Sequence, residues 1–285
     1  MHRKTRPFLL IARSILSRDD DYAEHVRKLL DDDTSSTEKK MARILVAGAK
    51  WVTESWSRRL VQVSTRIRSG PFEGMDYCVN AAEGAYLPRL LGTYEAELAP
   101  AIAALRQNPP DHVIDIGCAE GYYAVGFARI FPKARVHAHD IDDVARRRCA
   151  LLAKANGVED RLEVGGEFTG EDFAPFEGRN ALVFMDAEGF EDELLHPDRY
   201  PALQGFSLIV ETHPGARPGV TDRLIQRFQP THDIQRIDQD APRVTLPQEL
   251  REASHIEMLL SLWEWRGQPT PWLFMRPKTP NALAS

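Results

Sequence analysis

Two patterns of hydrophobic residues divide the chain near residue 108. Before this point, apolar residues recur at the spacing typical of helices, and a polar run over 31–37 and a stretch with glycine and proline over 69–74 interrupt them. The helices that this spacing predicts cover 8–16, 22–30 and 38–67. Asn-Pro-Pro over 108–110 predicts a domain boundary. We therefore expect a helical N-terminal region over 1–108 that acts as a cap, for substrate binding or for dimerisation.

After residue 110, short β-rich runs alternate with helical stretches. This alternation is typical of an α/β layer, so we expect a Rossmann-like, doubly wound and mostly parallel sheet of seven strands within 109–285. The predicted strands cover 112–116, 135–140, 161–164, 181–186, 206–213, 233–237 and 272–276. The predicted helices cover 122–130, 144–156, a short piece after residue 189, 220–228 and 250–265.

The composition narrows the classes of function. Apolar residues make up 43% of the 285 residues and charged residues 27%, as in ordinary globular proteins. The net charge of −6 creates no overall positive field, so we expect no nucleic-acid partner. No apolar run approaches the roughly 20 residues of a membrane span. The three cysteines form no CxxC pair, which disfavours a disulfide framework and a zinc site and indicates a reducing cytoplasm.

The first predicted strand ends in a loop that suits a cofactor. Its sequence, Asp-Ile-Gly-Cys-Ala-Glu-Gly over 115–121, has small residues at alternate positions, which let a ligand approach the backbone at the carboxyl edge of the sheet. A dinucleotide loop of the GxGxxG type would have glycine where Ala119 and Tyr122 stand. Asp115 would also repel a pyrophosphate but attract a cation. S-adenosylmethionine carries a sulfonium and an ammonium group, so the sequence favours this cofactor over NAD.

A second carboxylate supports the same cofactor. Asp140 ends the second predicted strand nineteen residues after Gly121, an offset at which a carboxylate can accept hydrogen bonds from both ribose hydroxyls. Tyr94 and Glu95 stand at the start of the helix that leads to the first strand, where they can close over the methionine end of the cofactor. The alternative is that this pair has a structural role only, as a helix cap and a packed tyrosine.

The loop and the second acid together resemble class I S-adenosylmethionine-dependent methyltransferases, over about 110–277. The resemblance implies that the first cofactor motif consists of Asp115, Gly117, Cys118, Ala119, Glu120 and Gly121. It assigns ribose binding to Asp140, which Ile141 follows, and an adenine contact to Glu167. The alternative for Glu167 is a loop acid that faces solvent.

The fourth and fifth strands place acidic residues and a histidine at the same edge of the sheet. Asp-Ala-Glu-Gly-Phe-Glu over 186–191 resembles the Asp-Val-Glu-Gly-Ala-Glu element of FkbM-type methyltransferases, and Glu-Thr-His over 211–213 resembles the end of their fifth strand. The resemblance implies O-methylation of sugars and secondary metabolites.

A hydroxyl acceptor must lose its proton as it attacks the methyl group. We rank His213 first as the base, because imidazole titrates near pH ~6.5, and Asp186 or Glu188 next, if burial raises their pKa values. We expect Glu188 to orient the acceptor hydroxyl. The alternative for His213 is a strand-end histidine bonded to the backbone.

A divalent cation such as Mg²⁺ is the rival explanation for Asp186, Glu188 and His213. The sequence does not locate the further acids of a catechol-type site, and two histidines on one face of the second strand, His137 and His139, match chance spacing. We therefore expect no metal.

The sequence thus predicts a cytoplasmic S-adenosylmethionine-dependent methyltransferase that acts on a hydroxyl of a small molecule or glycan, in a chain that can form a homodimer. One alternative is a catalytically silent scaffold that binds the cofactor and recruits a partner. Another is an RNA or protein methyltransferase, which the acidic balance and the missing Pro-Pro-aromatic motif disfavour.

Overall fold

One mixed sheet organises the chain in the computed structural model, which describes residues 19–82, 84–239 and 246–278. The strands are β1 His112–Ile116, β2 Arg135–His139, β3 Leu162–Gly165, β4 Ala181–Met185, β5 Ser207–Glu211, β6 His232–Ile237 and β7 Trp272–Pro277. They lie in the order β3-β2-β1-β4-β5-β7-β6. β1 to β5 pair in parallel, and β7 pairs antiparallel with both β5 and β6. The predicted Rossmann-like, mostly parallel sheet of seven strands is confirmed.

Helices cover both faces of this sheet and form most of the described part of the N-terminal region. They are α1 Asp19–Leu30, α2 Thr37–Val63, α3 Tyr86–Leu91, α4 Ala99–Leu105, α5 Tyr122–Ile130, α6 Asp143–Ala155, α7 Glu191–Leu194, α8 Val220–Phe228 and α9 His255–Ser261. Among these described helices, none combines the length and the apolar composition that crossing a bilayer requires.

The central strands are buried on both faces, which explains why they appear in the sequence as continuous apolar runs. All five residues of β4 are buried. Neighbouring residues of β1 point to opposite faces of the sheet, so Val113 packs with Phe127 in one hydrophobic cluster and Ile114 with Leu208 in another. The sheet therefore holds the ends of its strands in a rigid, two-sided core.

Part of the N-terminal region belongs to the core of the sheet. Phe72, Met75 and Tyr77 are almost fully buried in the same cluster as Val113 and Phe127. By contrast, α2 packs its buried side chains mainly against α3 and a segment near residue 250. The described residues of this region, 19–82 and 84–108, therefore include helices that pack outside the sheet and a segment that contacts the sheet directly.

The predicted N-terminal helices are found with adjusted ends. α2 stops at Val63, before the predicted end at 67, because the chain becomes extended there and Thr65 accepts a backbone hydrogen bond from Tyr77. The predicted helix over 8–16 lies outside the described residues.

The predicted helix over 250–265 is wrong over most of its length. Only α9 is helical, because Ser254 caps its N-terminus in a reciprocal capping box with Glu257. The backbone then takes a left-handed conformation at Trp265, with φ of 68°. As a result, residues 264–270 form a loop that reaches the carboxyl edge of the sheet.

Candidate active site

A cavity of about 1040 Å³ opens at the carboxyl ends of the parallel strands. Gly117, Asp140, Asp186 and Glu211, which end or follow β1, β2, β4 and β5, line it. This edge is where open α/β sheets bind their ligands. The N-terminal region and the loop before β7 complete the walls with Arg89, Tyr94, Glu95, Glu264, Trp265 and Arg266.

The loop after β1 lies tightly against the neighbouring strands. The backbone N–H groups of Gly117 and Cys118 donate to the carbonyl oxygen of His139, at 2.9 and 3.0 Å. Gly117 has φ of 81°, and a Cβ atom there would overlap the carbonyl oxygen of Asp186. Ala119 is also left-handed, with φ of 48°. Only small residues let the backbone follow this path, so the loop presents main chain to the cavity.

Asp140 is fixed in orientation by the loop that it faces. Its Oδ2 accepts a hydrogen bond from the Ala119 amide at 2.9 Å, and its Oδ1 accepts one from the Asp142 amide at 2.8 Å. Ile141 and Glu167, both exposed, line the cavity next to it. Asp140, Ile141 and Glu167 therefore lie together in the cavity wall.

Asp115 lies beneath the loop and does not line the cavity. Its side chain is buried, and this burial, reinforced by the charge of Asp140, raises the pKa of Asp115 to about 8. A cation above the loop would favour the charged form of this carboxyl.

The other residues of the first motif hold the loop rather than face the cavity. Glu120, only 1% exposed, accepts hydrogen bonds from the Tyr77 hydroxyl at 2.5 Å and from the Ala82 amide at 2.7 Å. Cys118 is buried, and Gly121, left-handed with φ of 94°, packs against Cys149. Glu120 therefore ties the N-terminal region to the loop.

Tyr94 and Glu95 do lie in the cavity wall. The Arg89 guanidinium stacks over the Tyr94 ring at 3.9 Å. Glu95 is buried in a left-handed conformation, with φ of 49°, and accepts hydrogen bonds from the Tyr123 hydroxyl and, at 2.5 Å, from Arg266. Burial raises the pKa of Glu95 to about 8, although Arg266 opposes the shift.

Four side chains form what we call the His213 cluster: Asp186, Glu188, Glu211 and His213. The Nε2 atom of His213 lies 3.5 Å from one carboxylate oxygen of each of the three acids. Its Nδ1 atom lies 2.7 Å from Oε1 of Glu191, which is fully buried. The predicted catalytic residues are therefore brought together, and Glu211 and Glu191 complete their surroundings.

The carboxyl groups of this cluster perturb one another. Burial in the cavity wall and the charge of Glu211 raise the pKa of Asp186 well above its ordinary value. Burial lowers the pKa of His213, but the hydrogen bond to Glu191 and the charge of Glu211 outweigh it, so that pKa lies above its ordinary value. The charge of Glu211 contributes to both shifts.

Arg266 joins the cluster to the opposite wall. Its guanidinium lies 2.5 Å from Glu95, 2.6 Å from Glu211 and 2.9 Å from Glu264. Thr270 adds a further hydrogen bond to the same oxygen of Glu211, at 2.6 Å. One carboxylate oxygen of Glu211 is thus fully engaged, which leaves Oε2 facing His213.

Sequence reasoning missed Glu191, Glu211, Glu264 and Arg266. Glu191 and Glu211 stand inside the two motif strings, so a closer interpretation of those strings could have included them. Glu264 and Arg266 carried no local signal, because they meet Glu95 across 169 and 171 positions of the chain.

The two histidines of the second strand, His137 and His139, have different surroundings. His139 lines the cavity and contacts the Gly166 carbonyl oxygen at 3.2 Å, whereas His137 stacks on His112. Within the described ranges, Asp186, Glu211 and His213 form a donor set that could hold a metal ion, because their ligand atoms lie within 4.8 Å of one another.

No family model matches the chain, and no curated protein matches it either. Among solved structures, the O-methyltransferase TomG from Streptomyces achromogenes, in complex with S-adenosylmethionine, is 14% identical over 62% of this chain and 77% of its own, with a TM-score of 0.42. An O-methyltransferase from Bacillus cereus, in complex with S-adenosylhomocysteine, is 12% identical over 62% and 78%, with a TM-score of 0.41. A precorrin-6Y C5,15-methyltransferase domain from Corynebacterium diphtheriae is 18% identical over 66% and 98%, with a TM-score of 0.40.

Proposed function

We propose that this chain is an S-adenosylmethionine-dependent methyltransferase that methylates a hydroxyl group of a small molecule. The observation that carries the proposal is the contact between the loop after β1 and the end of β4. Because Gly117 packs against the backbone of Asp186, a cofactor held on the loop lies beside the His213 cluster in the same cavity.

The cavity residues fit this cofactor. A volume of about 1040 Å³ holds a cofactor and a small acceptor together, since small-molecule sites commonly measure about 300–1,000 Å³. Asp140 would bind the ribose hydroxyls, with Ile141 and Glu167 beside the adenine. Tyr94 and Glu95 would close the methionine end. When bound, S-adenosylmethionine supplies a methyl group on a positively charged sulfur, and the acidic walls favour that charge over a pyrophosphate.

The remaining residues of the first motif support the site indirectly in this proposal. Asp115 lies beneath the loop, where a bound cation would favour its charged form, and Cys118, Glu120 and Gly121 fix the path of the backbone. Their role would be to keep the loop in a shape that receives the cofactor.

The His213 cluster would act on the acceptor. Asp186 and Glu188 would orient its hydroxyl group, and alignment alone can supply several kcal/mol of the rate enhancement. In the absence of a metal ion, Nε2 of His213 is the atom placed to take the proton, because Nδ1 already bonds Glu191. Proton transfer of this kind contributes about 10²- to 10⁴-fold.

The finer points of the proposal come from the sequence motifs. The resemblance of 186–191 and 211–213 to FkbM-type enzymes supports a sugar, glycan or secondary metabolite as acceptor. The three free cysteines agree with a cytoplasmic location. Exposed Met41, Leu45 and Trp51 on α2 are compatible with a homodimer.

Calorimetry and a transfer assay test the proposal together. We expect S-adenosylmethionine and its demethylated product to bind tightly and NAD to bind weakly. Incubation with labelled S-adenosylmethionine and fractionated cell metabolites should then transfer label to a hydroxyl-bearing compound. Tighter binding of NAD would exclude the cofactor assignment. Cofactor binding without transfer to any fraction would favour the silent scaffold. Transfer to RNA or protein fractions would favour an RNA or protein methyltransferase.

A further inference from the structure

We propose that Asp186, Glu211 and His213, with Glu188 as an outer ligand, bind one divalent transition-metal ion. Glu211 and His213 are at least nine-tenths buried, and Glu188 is mostly exposed at the mouth of the cavity. The proposal that an ion binds is argued from the donor atoms alone. Its role, to bind the acceptor oxygen as a Lewis acid, rests on the proposed function.

The distances around His213 match ligands that share one ion. Its Nε2 atom lies 3.5 Å from an oxygen of Asp186, of Glu188 and of Glu211. These separations are longer than the ~2.7–3.2 Å of an N–H···O hydrogen bond. Two ligands bound at ~2.1 Å to one tetrahedral ion are ~3.4 Å apart. Three carboxylate oxygens therefore surround Nε2 at the spacing of a coordination shell.

Glu191 sets the tautomer that this site needs. Its Oε1 lies 2.7 Å from Nδ1 of His213 and also accepts a hydrogen bond from the Gly189 amide. With Nδ1–H donated to this carboxylate, Nε2 is the nitrogen left to face the three acids, and its lone pair is available to a metal ion. A carboxylate that holds the far nitrogen of a histidine in this way is the usual outer partner of a metal ligand.

Acidic side chains outnumber basic ones around this wall. The side chains linked there include six carboxyl groups, of Asp186, Glu188, Glu191, Glu211, Glu95 and Glu264, and one guanidinium, of Arg266. Arg266 contacts Oε1 of Glu211, so the oxygen that faces His213 is Oε2. A divalent ion at that point would offset the excess of negative charge without displacing the guanidinium.

The donor set selects the class of ion. One imidazole nitrogen with two or three carboxylate oxygens suits Mn²⁺, Fe²⁺ or Zn²⁺, whereas Mg²⁺ prefers oxygen donors alone. We therefore expect Mn²⁺ and Zn²⁺ to bind more tightly than Mg²⁺.

Metal titration of the full-length protein, stripped with a chelator and without cofactor, tests the site. Electron paramagnetic resonance should show that one Mn²⁺ per chain loses its free-ion signal, and calorimetry should show Mg²⁺ binding at least tenfold more weakly. His213→Ala and Glu211→Gln should each weaken Mn²⁺ binding at least tenfold. Glu191→Gln should weaken it about 10- to 100-fold, the usual effect of losing an outer partner.

Glu193→Gln is the matched control, because Glu193 lies on the same helix as Glu191 but pairs with Arg217 at the surface. It should bind Mn²⁺ like the wild type. Wild-type protein that binds neither Mn²⁺ nor Zn²⁺ stoichiometrically overturns the proposal, as does unchanged affinity in the folded His213→Ala variant or tighter binding of Mg²⁺. Calorimetry with S-adenosylhomocysteine reports folding of each variant. It also separates the two proposals, because loss of metal binding alone leaves the proposed function standing.

Discussion

Asp140 holds its two carboxylate oxygens in place through the backbone amides of Ala119 and Asp142. In the proposed function, this orientation leaves lone pairs of Asp140 for the ribose hydroxyls of the cofactor. Asp140→Ala should weaken binding of S-adenosylhomocysteine by roughly 1.5–3 kcal/mol, the contribution of hydrogen bonds to a charged group. Calorimetry measures the difference. Asp143→Ala, on exposed helix surface nearby, is the control and should bind normally, and equal affinity in both variants would remove Asp140 from the site.

In the proposed function, His213 activates the acceptor, either by taking the proton itself or by holding an ion. His213→Ala should lower turnover by about 10²- to 10⁴-fold and leave affinity for S-adenosylhomocysteine nearly unchanged. His255→Ala, at the exposed start of α9, should keep full turnover. If the ion is required, a chelator should abolish wild-type activity and Mn²⁺ should restore it. If turnover of His213→Ala stays within threefold of wild type, alignment of the reactants alone accounts for the rate enhancement.

Local patterns could identify most residues on the strand ends but not their distant partners. Gly117 and Asp140 are recognisable because parallel strands bring consecutive strand ends to one edge. Arg266 is different, because it follows a helix whose predicted extent was wrong and it bonds Glu95 across 171 positions. Nothing near Arg266 in the sequence indicates that three buried carboxylates surround it.

At the scale of elements, the loop between β1 and α5 depends on Gly117. Gly117→Ala adds a Cβ that overlaps the Asp186 carbonyl and demands φ of 81°, so it should lower the free energy of unfolding by more than ~1 kcal/mol and weaken cofactor binding. Gly157→Ala, with φ of 65° and open space around it, isolates the cost of the backbone conformation. Gly166→Ala adds a Cβ in open space and needs no left-handed backbone, so it should leave the free energy of unfolding nearly unchanged. Urea unfolding that ranks Gly117→Ala with Gly166→Ala would contradict this account.

Hydrophobic periodicity predicted the buried strands well because burial on both faces leaves little choice of residue. β1 and β4 show this most clearly, with burial along almost their whole lengths. The same criterion failed over 250–265, where Leu259, Leu260 and Trp263 recur at helical spacing but the chain leaves the helix after Ser261. The loop that follows carries the ion pairs of Arg266, and hydrophobic periodicity does not report ion pairs.

At the scale of the whole molecule, Asp115 makes stability depend on pH. In the folded protein, burial raises its pKa to about 8, whereas in the unfolded chain it titrates near ~3.9. Between these values the native state keeps a proton that the unfolded state has released, so the free energy of unfolding falls as pH rises. Urea unfolding from about pH 5 to about pH 9 should show this decline, with a smaller slope in Asp115→Asn. Asp111→Asn, at the exposed start of the same strand, should keep the wild-type slope.

The protein should tolerate the loss of residues 1–36 but not the loss of the whole N-terminal region. Deletion of residues 1–36 removes α1, which buries little beyond Leu29, and should leave affinity for S-adenosylhomocysteine within about threefold. Deletion of 1–108 also removes Phe72 and Tyr77 from the core and Glu95 from the cavity, so activity should be lost and the remaining sheet should be less stable. Calorimetry, thermal unfolding and the transfer assay compare the two. A fragment over 109–285 that methylates the acceptor at the full-length rate would show that the contacts of Glu95 and Glu120 with this region are not needed for catalysis.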